Sequence, residues 1–186
     1  MPGMHGNYTA TTSIQKSDLL IAIGVRFDDR VTANPSFFAQ NAKVIHADID
    51  PAEIGKVREA QVPIVGDAKS VILGLINALG DTKLNTENWI NELNSMKTEF
   101  PLSYNQNENG PLKVPFVLEE LQNLTEEEAI VVSGVGQHQM WISQHWNFTE
   151  PNTWLNSGGL GTMGYSLPAA IGAKTAYPEK LVLALD

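Results

Sequence analysis

Three short apolar runs, each ending at or just before a glycine or an aspartate, most constrain the fold of this chain. They lie at Asp18 to Gly24, Lys43 to Ile49 and Val62 to Val65. Continuous apolar runs of this length are typical of strands in a parallel sheet, whose two faces are both covered. Asp67 then provides a helix N-cap, and the apolar periodicity after it predicts a helix to Leu79. Strands that alternate with helices indicate an α/β fold with a doubly wound parallel sheet.

A second doubly wound α/β unit is predicted in the later half of the chain. The composition changes at Asp81, a helical pattern covers Thr86 to Phe100, and Pro101 to Pro111 is rich in Asn, Gln, Glu and Gly, as linkers are. We expect two domains at residues 1–80 and 112–186, joined by a helix and linker at 81–111. The elements predicted in the second domain are a helix at Val114 to Leu124 and strands at Ala129 to Val132, near Trp154 and at Leu181 to Leu185.

Composition narrows the class of protein. The 186 residues include no cysteine, which excludes a disulfide scaffold and fits a reducing cytoplasm. The net charge of −9 disfavours nucleic acid and anionic membranes as partners. No apolar run approaches the roughly 20 residues that span a bilayer, and no secretory signal is visible at the N-terminus.

Two glycine clusters are the strongest functional signals. In the first, an apolar run opens onto Gly134, Gly136, Gln137 and His138, where backbone N–H groups can hold a phosphate. The second cluster surrounds one large apolar side chain, Met163, and precedes a small-residue helix near Leu167; its glycines are Gly158, Gly159, Gly161 and Gly164. The alternative interpretation is that both clusters are tight turns, with Met163 filling a gap in the core and His138 serving a structural purpose.

Polar residues also follow the predicted strands of the first half. Ligands of doubly wound sheets bind beyond the carboxyl ends of the strands. Those ends carry Gly24 to Arg30, Asp48 to Asp50, and Gly66 with Asp67. A carboxylate there suits ribose hydroxyls, which makes Asp48 and Asp67 candidates for binding a dinucleotide. The alternative is that the charged residues between Gly24 and Arg30 form only a surface ion-pair cluster.

These motifs carry a resemblance to a known family. The segments GVGQHQMW and SGGLGTMGYSLPAAIGA are similar to the start of the diphosphate-binding domain of thiamine-diphosphate enzymes. Together with MPGMHGNYTA, IAIGVRFDDRVTA and HADIDPAEIGK, they resemble the catalytic subunits of the acetohydroxyacid synthase, or acetolactate synthase, family. The resemblance covers nearly the whole chain and is weakest from Asp81 to Pro111. It implies part of an FAD-binding middle domain followed by the start of a thiamine-diphosphate domain.

The resemblance also implies roles for individual residues. Met163 matches the family residue beneath the folded cofactor, and Arg30 matches the arginine that holds the carboxylate of the second 2-ketoacid. The positions matched to thiamine diphosphate are Gly136, Gln137, His138, Gly161 and Met163, and those matched to FAD are His5, Gly24, Arg26, Asp48, Ile49 and Asp67. The family's magnesium motif is expected to follow Asp186 and its catalytic glutamate to precede residue 1, so we expect an interior portion of a longer enzyme that is inactive alone.

The activity implied by the resemblance is decarboxylation of pyruvate and condensation of the two-carbon unit with pyruvate or 2-ketobutyrate, the first common step of valine, leucine and isoleucine biosynthesis. It also implies magnesium, a homodimer or homotetramer with the active site at the subunit interface, and a cytoplasmic location, or a plastid one in a plant. It allows for a small regulatory subunit. Two alternatives stay open: another thiamine-diphosphate carboligase, decarboxylase or oxidase, and a non-catalytic nucleotide-binding module.

Overall fold

The structure, a computed structural model, describes residues 1–125 and 129–186. The chain forms two compact units, Met1–Pro101 and Leu102–Asp186, which are described one at a time.

The first unit is built on a parallel sheet of three strands. They lie in the order β1-β2-β3, with Leu20 opposite Val44 and Ala47 opposite Ile64. The strands are β1 (Leu19–Ile23), β2 (Lys43–Asp48) and β3 (Val62–Val65); the helices are α1 (Tyr8–Lys16), α2 (Asp29–Thr32), α3 (Ala68–Leu79) and α4 (Glu87–Glu99), with short 3₁₀ helices at Gly3–His5 and Pro35–Phe37.

One face of this sheet holds the core of the first unit. Ala22 and Val44 pack there with Phe27 and Phe38, and Ile14 of α1 packs against them. Because successive side chains of a strand point to opposite faces, Leu19 and Ile21 lie on the other face. They are 46% and 52% exposed. The prediction that β1 is a buried strand is therefore correct for one face only.

Helix α4 belongs to the first unit. It packs on α1, where Lys16 Nζ lies 2.7 Å from Glu92 Oε1. The rings of Tyr8 and Phe100 also pack there, tilted by 38° with their centroids 4.0 Å apart. The hydrogen bond from Lys16 to Glu92 raises the pKa of Lys16 above its ordinary value.

The second unit is built on another parallel sheet, in the order β5-β4-β6. Central strand β4 is covered on both faces: Val131 packs with Leu118, Ile142 and Trp146, and Val132 packs with Ala170. The strands are β4 (Ile130–Ser133), β5 (Trp154–Asn156) and β6 (Val182–Leu185), and the helices are α5 (Val114–Leu124), α6 (Gln137–His145) and α7 (Ser166–Ala176).

The predicted fold class is confirmed, because the chain is α/β with two parallel sheets. Each predicted strand and helix is present within a residue or two of its expected ends. Helix α6 was not expected, since its polar side chains do not follow a clear helical period. In the described part of the chain, no helix is long and apolar enough to cross a membrane.

Candidate functional site

The three strands of the first unit end at one edge of their sheet. Just past that edge, Gly24 N–H donates to Ala47 O at 2.9 Å, and Gly66 N–H donates to Asp48 O at 2.9 Å. Gly24 has φ +64°, and the space where its Cβ would point is open. The sheet therefore brings together three of the segments expected to bind a dinucleotide, those at Gly24, Asp48 and Asp67.

The two arginines of the first segment are exposed and paired with neighbouring aspartates. Arg26 Nη2 lies 3.0 Å from Asp28 Oδ2, and Arg30 Nη1 lies 2.6 Å from Asp29 Oδ2. These pairs are the ion-pair cluster expected as the alternative. Exposed pairs of this kind contribute about 0–1 kcal/mol. An arriving anion can therefore compete with Asp29 for the guanidinium of Arg30 at little cost in stability.

Phe27, between those arginines, is the buried anchor of the segment. It has φ +52°, an unusual conformation for a bulky residue, and it is 5% exposed. Its ring packs edge-on against His46 at 5.1 Å and Phe38 at 6.0 Å. This inward turn of Phe27 leaves the side chains of Arg26 and Arg30 on the surface.

His46, which sequence reasoning did not select, ties the same segment to the loop at Gly55 through its two ring nitrogens. Gly55 N–H donates to Nδ1 at 3.3 Å, so the proton is assigned to Nε2, which donates to Val25 O at 2.8 Å. The imidazole is fully buried. His46 lies within the run that forms β2, and nothing in that run sets it apart, so the sequence gives no signal for this role.

The acidic candidates each have a structural partner as well. Asp48 Oδ1 accepts the Asp50 N–H at 2.9 Å. Asp67 Oδ1 caps α3 by accepting the Ser70 N–H at 3.1 Å. Each carboxylate has a second oxygen, so neither hydrogen bond uses the full accepting capacity of its aspartate. Ile49 directly follows Asp48 and is 75% exposed.

The N-terminal segment reaches the arginine segment across the first unit. A Cβ on Gly3 would lie 2.2 Å from Arg30 O and 2.8 Å from Val31 Cα, so only a glycine allows this approach. The approach brings the 3₁₀ helix that contains His5 next to α2, which carries Arg30. Half-buried His5 and exposed Arg30 therefore belong to one neighbourhood.

In the second unit, β4 leads directly into the N-terminus of α6. Gly136 is the N-cap and supplies no side-chain hydrogen bond to the first turn. The backbone N–H groups at a helix start attract anions, and here Gly136 and Gln137 are exposed while His138 is half-buried. His138 Nε2 is buried with no hydrogen-bond partner among the described residues. This turn is chemically suited to an anionic group.

The second glycine segment is an exposed loop before α7. Gly161 and Gly164 both have φ +74°, which favours glycine. Ser157 orders the loop, because its carbonyl accepts the Gly161 N–H at 2.8 Å and its hydroxyl accepts the Thr162 N–H at 3.0 Å. Met163 is 79% exposed. The alternative that Met163 fills a gap in the core is therefore wrong, and its contact with a cofactor stays a prediction.

Asp186, directly after β6, links these two segments and was not selected from the sequence. Its Oδ2 accepts the hydroxyl hydrogen of Ser166, the first residue of α7, and its Oδ1 lies 3.6 Å from His138 Nε2 in the first turn of α6. A Cβ on Gly134 would lie 2.2 Å from Oδ1, so the glycine makes room for the carboxylate. The parallel pairing of β4 with β6 creates this arrangement.

An indole ring lies at the same end of β4. Trp154 Nε1 donates to Ser133 Oγ at 3.0 Å, and the ring stacks on Phe148 at 5.2 Å with an angle of 4° between their planes. Ser133 is fully buried and immediately precedes Gly134. The indole therefore lies one residue from the glycine that receives the Asp186 carboxylate.

Two family models match the chain. Residues 1–75 match the central domain of thiamine pyrophosphate enzymes, and residues 134–186 match their C-terminal domain, which binds thiamine pyrophosphate.

Curated relatives match over the full length of the chain. It is 52% identical to an acetolactate synthase large subunit of Corynebacterium glutamicum and 54% identical to an acetolactate synthase of Mycobacterium leprae. It is 46% identical to a chloroplastic acetolactate synthase of Arabidopsis thaliana. Each match covers 100% of this chain but only 30%, 30% and 28% of the relative. The chain thus spans less than a third of the length of these relatives.

Proposed function

Since this chain belongs to the thiamine pyrophosphate enzymes, we propose that it is part of an acetolactate synthase large subunit. The observation that carries this proposal is the 52% identity to the large subunit of Corynebacterium glutamicum across the whole chain. The proposed reaction decarboxylates pyruvate and joins its two-carbon unit to pyruvate or to 2-ketobutyrate. In this proposal the chain contributes binding residues, and its activity depends on the longer protein.

Thiamine diphosphate is proposed to bind at the second unit. The uncapped first turn of α6 supports this assignment, because the N–H groups near Gly136, Gln137 and His138 suit a diphosphate. When bound, the cofactor supplies the carbanion stabilisation that lets a 2-ketoacid lose carbon dioxide. Gly161 is proposed to contribute its backbone carbonyl, and Met163 to contribute an apolar contact from its exposed loop.

Magnesium is proposed to accompany the diphosphate. Within residues 1–125 and 129–186, no group of three His, Asp or Glu side chains comes together as a cation site. As the resemblance to the family implies, we propose that its ligands come from residues of the longer protein that follow Asp186.

FAD is proposed to bind at the edge of the first sheet. Support comes from the open space at Gly24, from the second oxygens of Asp48 and Asp67, and from the exposed side chain of Ile49. Arg26 is proposed to contact the phosphates or the flavin, and His5 to contribute from the N-terminal segment.

Arg30 is proposed to bind the carboxylate of the acceptor 2-ketoacid. A guanidinium can hold a carboxylate with two parallel hydrogen bonds, which fixes its plane as well as its position. The 62% exposure of the Arg30 side chain and the exposure of its partner Asp29 support this role.

The remaining assignments rest on the resemblance to the acetohydroxyacid synthase family. We propose a homodimer or homotetramer that can carry a small regulatory subunit. The relatives include bacterial and chloroplastic proteins, and we propose a cytoplasmic location, or a plastid one if the source is a plant.

The test is a product assay on the full-length protein. With pyruvate, thiamine diphosphate, magnesium and FAD, we expect acetolactate, and with added 2-ketobutyrate we expect acetohydroxybutyrate. Cofactor extraction from the purified protein should release FAD. Acetaldehyde or acetyl phosphate as the main product would instead favour another thiamine-diphosphate enzyme. Absence of both cofactors and of any turnover would favour a non-catalytic module.

A further inference from the structure

The carboxylate of Asp186 makes three contacts that converge on the diphosphate-binding turn of the proposed function. One oxygen accepts from Ser166 at the start of α7, and the other faces His138 Nε2 at 3.6 Å. The carboxylate also packs against Gly134, where a Cβ would meet three of its atoms at 2.2–2.8 Å. A single side chain after β6 therefore contacts the start of both helices and the end of β4.

The contact between Asp186 and α7 is made to a buried hydroxyl group. Ser166 is 1% exposed, so its hydroxyl needs a partner within the protein. Ser166 follows Met163 and Gly164 by only a few residues, which ties the exposed loop to Asp186.

His138 lies opposite the other carboxylate oxygen of Asp186 across the turn. Its Nε2 is buried without a hydrogen-bond partner among the described residues, and Asp186 Oδ1 faces it at 3.6 Å. On its other side the imidazole is confined by the backbone, because a Cβ on Gly136 would lie 2.9 Å from Cε1 and 3.1 Å from Nδ1 of that ring. The ring is thus held between Gly136 and Asp186.

We propose that Asp186 is a positioning residue for thiamine diphosphate: its carboxylate holds the first turns of α6 and α7 in register, so that both glycine segments are ready for the cofactor. Asp186 acts through His138 and Ser166 and does not itself contact the cofactor. The proposal rests on the assignment of this unit to thiamine diphosphate.

Three variants of the full-length protein disturb the arrangement in different ways. Asp186→Ala removes the carboxylate, and Ser166→Ala removes one of its partners. Gly134→Ala keeps both groups but places a Cβ where the carboxylate lies. Substituting the partner that orients a metal-binding histidine typically lowers affinity or activity by about 10- to 100-fold, and we take the lower end as the guide for His138. We expect each variant to weaken binding of thiamine diphosphate with magnesium about tenfold or more, measured by calorimetry.

The matched controls are Gly172→Ala, whose Cβ enters open space in the same helix α7, and Asp81→Ala, at an exposed position in the first unit. Both should bind the cofactor as the wild type does. The double variant Asp186→Ala with Ser166→Ala should bind no more weakly than Asp186→Ala alone, because the two residues act through one contact.

A second measurement separates positioning from general loss of structure. At saturating thiamine diphosphate the turnover number should return to within about threefold of wild type, while the half-saturating concentration stays raised. Thermal unfolding identifies any variant that is misfolded, in which case Asp186→Asn, which keeps the shape, replaces Asp186→Ala. Wild-type affinity in folded Asp186→Ala and Gly134→Ala, or additive losses in the double variant, would overturn the proposal. If the wild type itself does not bind the cofactor, the proposed function fails with it.

Discussion

Arg30 offers the most direct test at the level of a single residue. Arg30→Lys keeps the charge but loses the planar fork that suits a carboxylate. Losing one charge-assisted contact typically costs about 1.5–3 kcal/mol, or roughly tenfold to 150-fold in rate. We expect carboligation by the full-length protein to slow by that factor, with a larger share of simple decarboxylation, as steady-state product analysis will measure.

The same substitution should leave folding unchanged, because the Arg30–Asp29 pair is exposed. The free energy of unfolding should change by no more than about 0.5 kcal/mol. Unaltered carboligation with both ketoacids would rule out the acceptor role of Arg30.

Met163 tests the cofactor contact because its exposure separates stability from chemistry. Met163→Ala should change the free energy of unfolding by no more than about 0.5 kcal/mol, since the side chain is 79% exposed. Catalysis by the full-length protein should fall on the order of a hundredfold if the residue sets the cofactor geometry. Urea unfolding and exchange of the cofactor's C2 proton measure the two effects.

Ile142→Ala is the matched control for this substitution. Ile142 is fully buried in the core of the second unit, and truncating such a residue typically costs about 2–5 kcal/mol. A large loss of stability in Met163→Ala, or proton exchange at the wild-type rate, would contradict the assignment.

Asp67, the N-cap of helix α3, has two roles that different substitutions can separate. It caps the first turn of this helix and is also proposed to bind FAD. Asp67→Ser retains a capping oxygen but loses the carboxylate, whereas Asp67→Ala loses both. Loss of an N-cap typically costs about 1 kcal/mol, so only the alanine variant should be destabilised in urea unfolding. Both variants should bind FAD roughly tenfold more weakly. Equal FAD affinity in all three proteins would leave Asp67 with its capping role only.

Helix α5 is joined to the preceding segment by a bond that depends on pH. Tyr104 donates its hydroxyl hydrogen to Glu119, and Glu119 Oε1 lies 3.5 Å from His145 Nδ1. The hydrogen bond to Glu119, followed by burial and by the charge of that carboxylate, raises the pKa of Tyr104 to about 12 from its ordinary 10.0.

Because this pKa is raised on folding, the bond stabilises the folded chain fully below about pH 10, and its contribution is lost as the pH rises from about 10 to about 12. Urea unfolding of wild type and Tyr104→Phe should therefore differ at about pH 8, and the difference should shrink by about pH 11.5. A constant difference over this range would show that the bond does not hold the phenol proton.

Comparison of these elements shows what sequence reasoning can predict. Strand β3 matches its expected bounds, Val62 to Val65, because a short apolar run is a local signal. The contact between His138 and Asp186 joins residues 48 positions apart through the pairing of β4 with β6, and no local pattern reports it. The positive φ of Phe27 is equally hidden, because packing against His46 compensates for the strain.

The sequence also did not predict that one face of the first sheet is exposed. This exposure affects the behaviour of the whole molecule. Ile21, Ile45 and Val62 form one row across the sheet, since paired residues of parallel strands share a face. Ile21 is 52% exposed and Val62 is 47% exposed. An apolar run predicts a strand, but the covering of each face depends on the rest of the fold.

We expect this row to make the 186-residue chain associate with itself and bind a hydrophobic dye when studied alone. Ile21→Thr keeps the β-branched side chain that suits a strand and should reduce both effects. Leu84→Thr, at a 63% exposed position outside the sheet, is the control and should leave them unchanged. Sedimentation velocity at rising concentration is the measurement; identical self-association in the two variants would show that the sheet face is not responsible.

The indole at the end of β4 gives this chain a built-in optical signal. Three of the four tryptophans lie in the second unit: Trp141, Trp146 and Trp154. The intrinsic fluorescence of the chain therefore comes mostly from that unit. Trp154 donates to Ser133 and stacks on Phe148, and indole emission responds to both kinds of contact. Movement of the Gly134 turn will therefore alter emission without any attached label, and stopped-flow mixing can follow how fast that turn responds to an arriving anion.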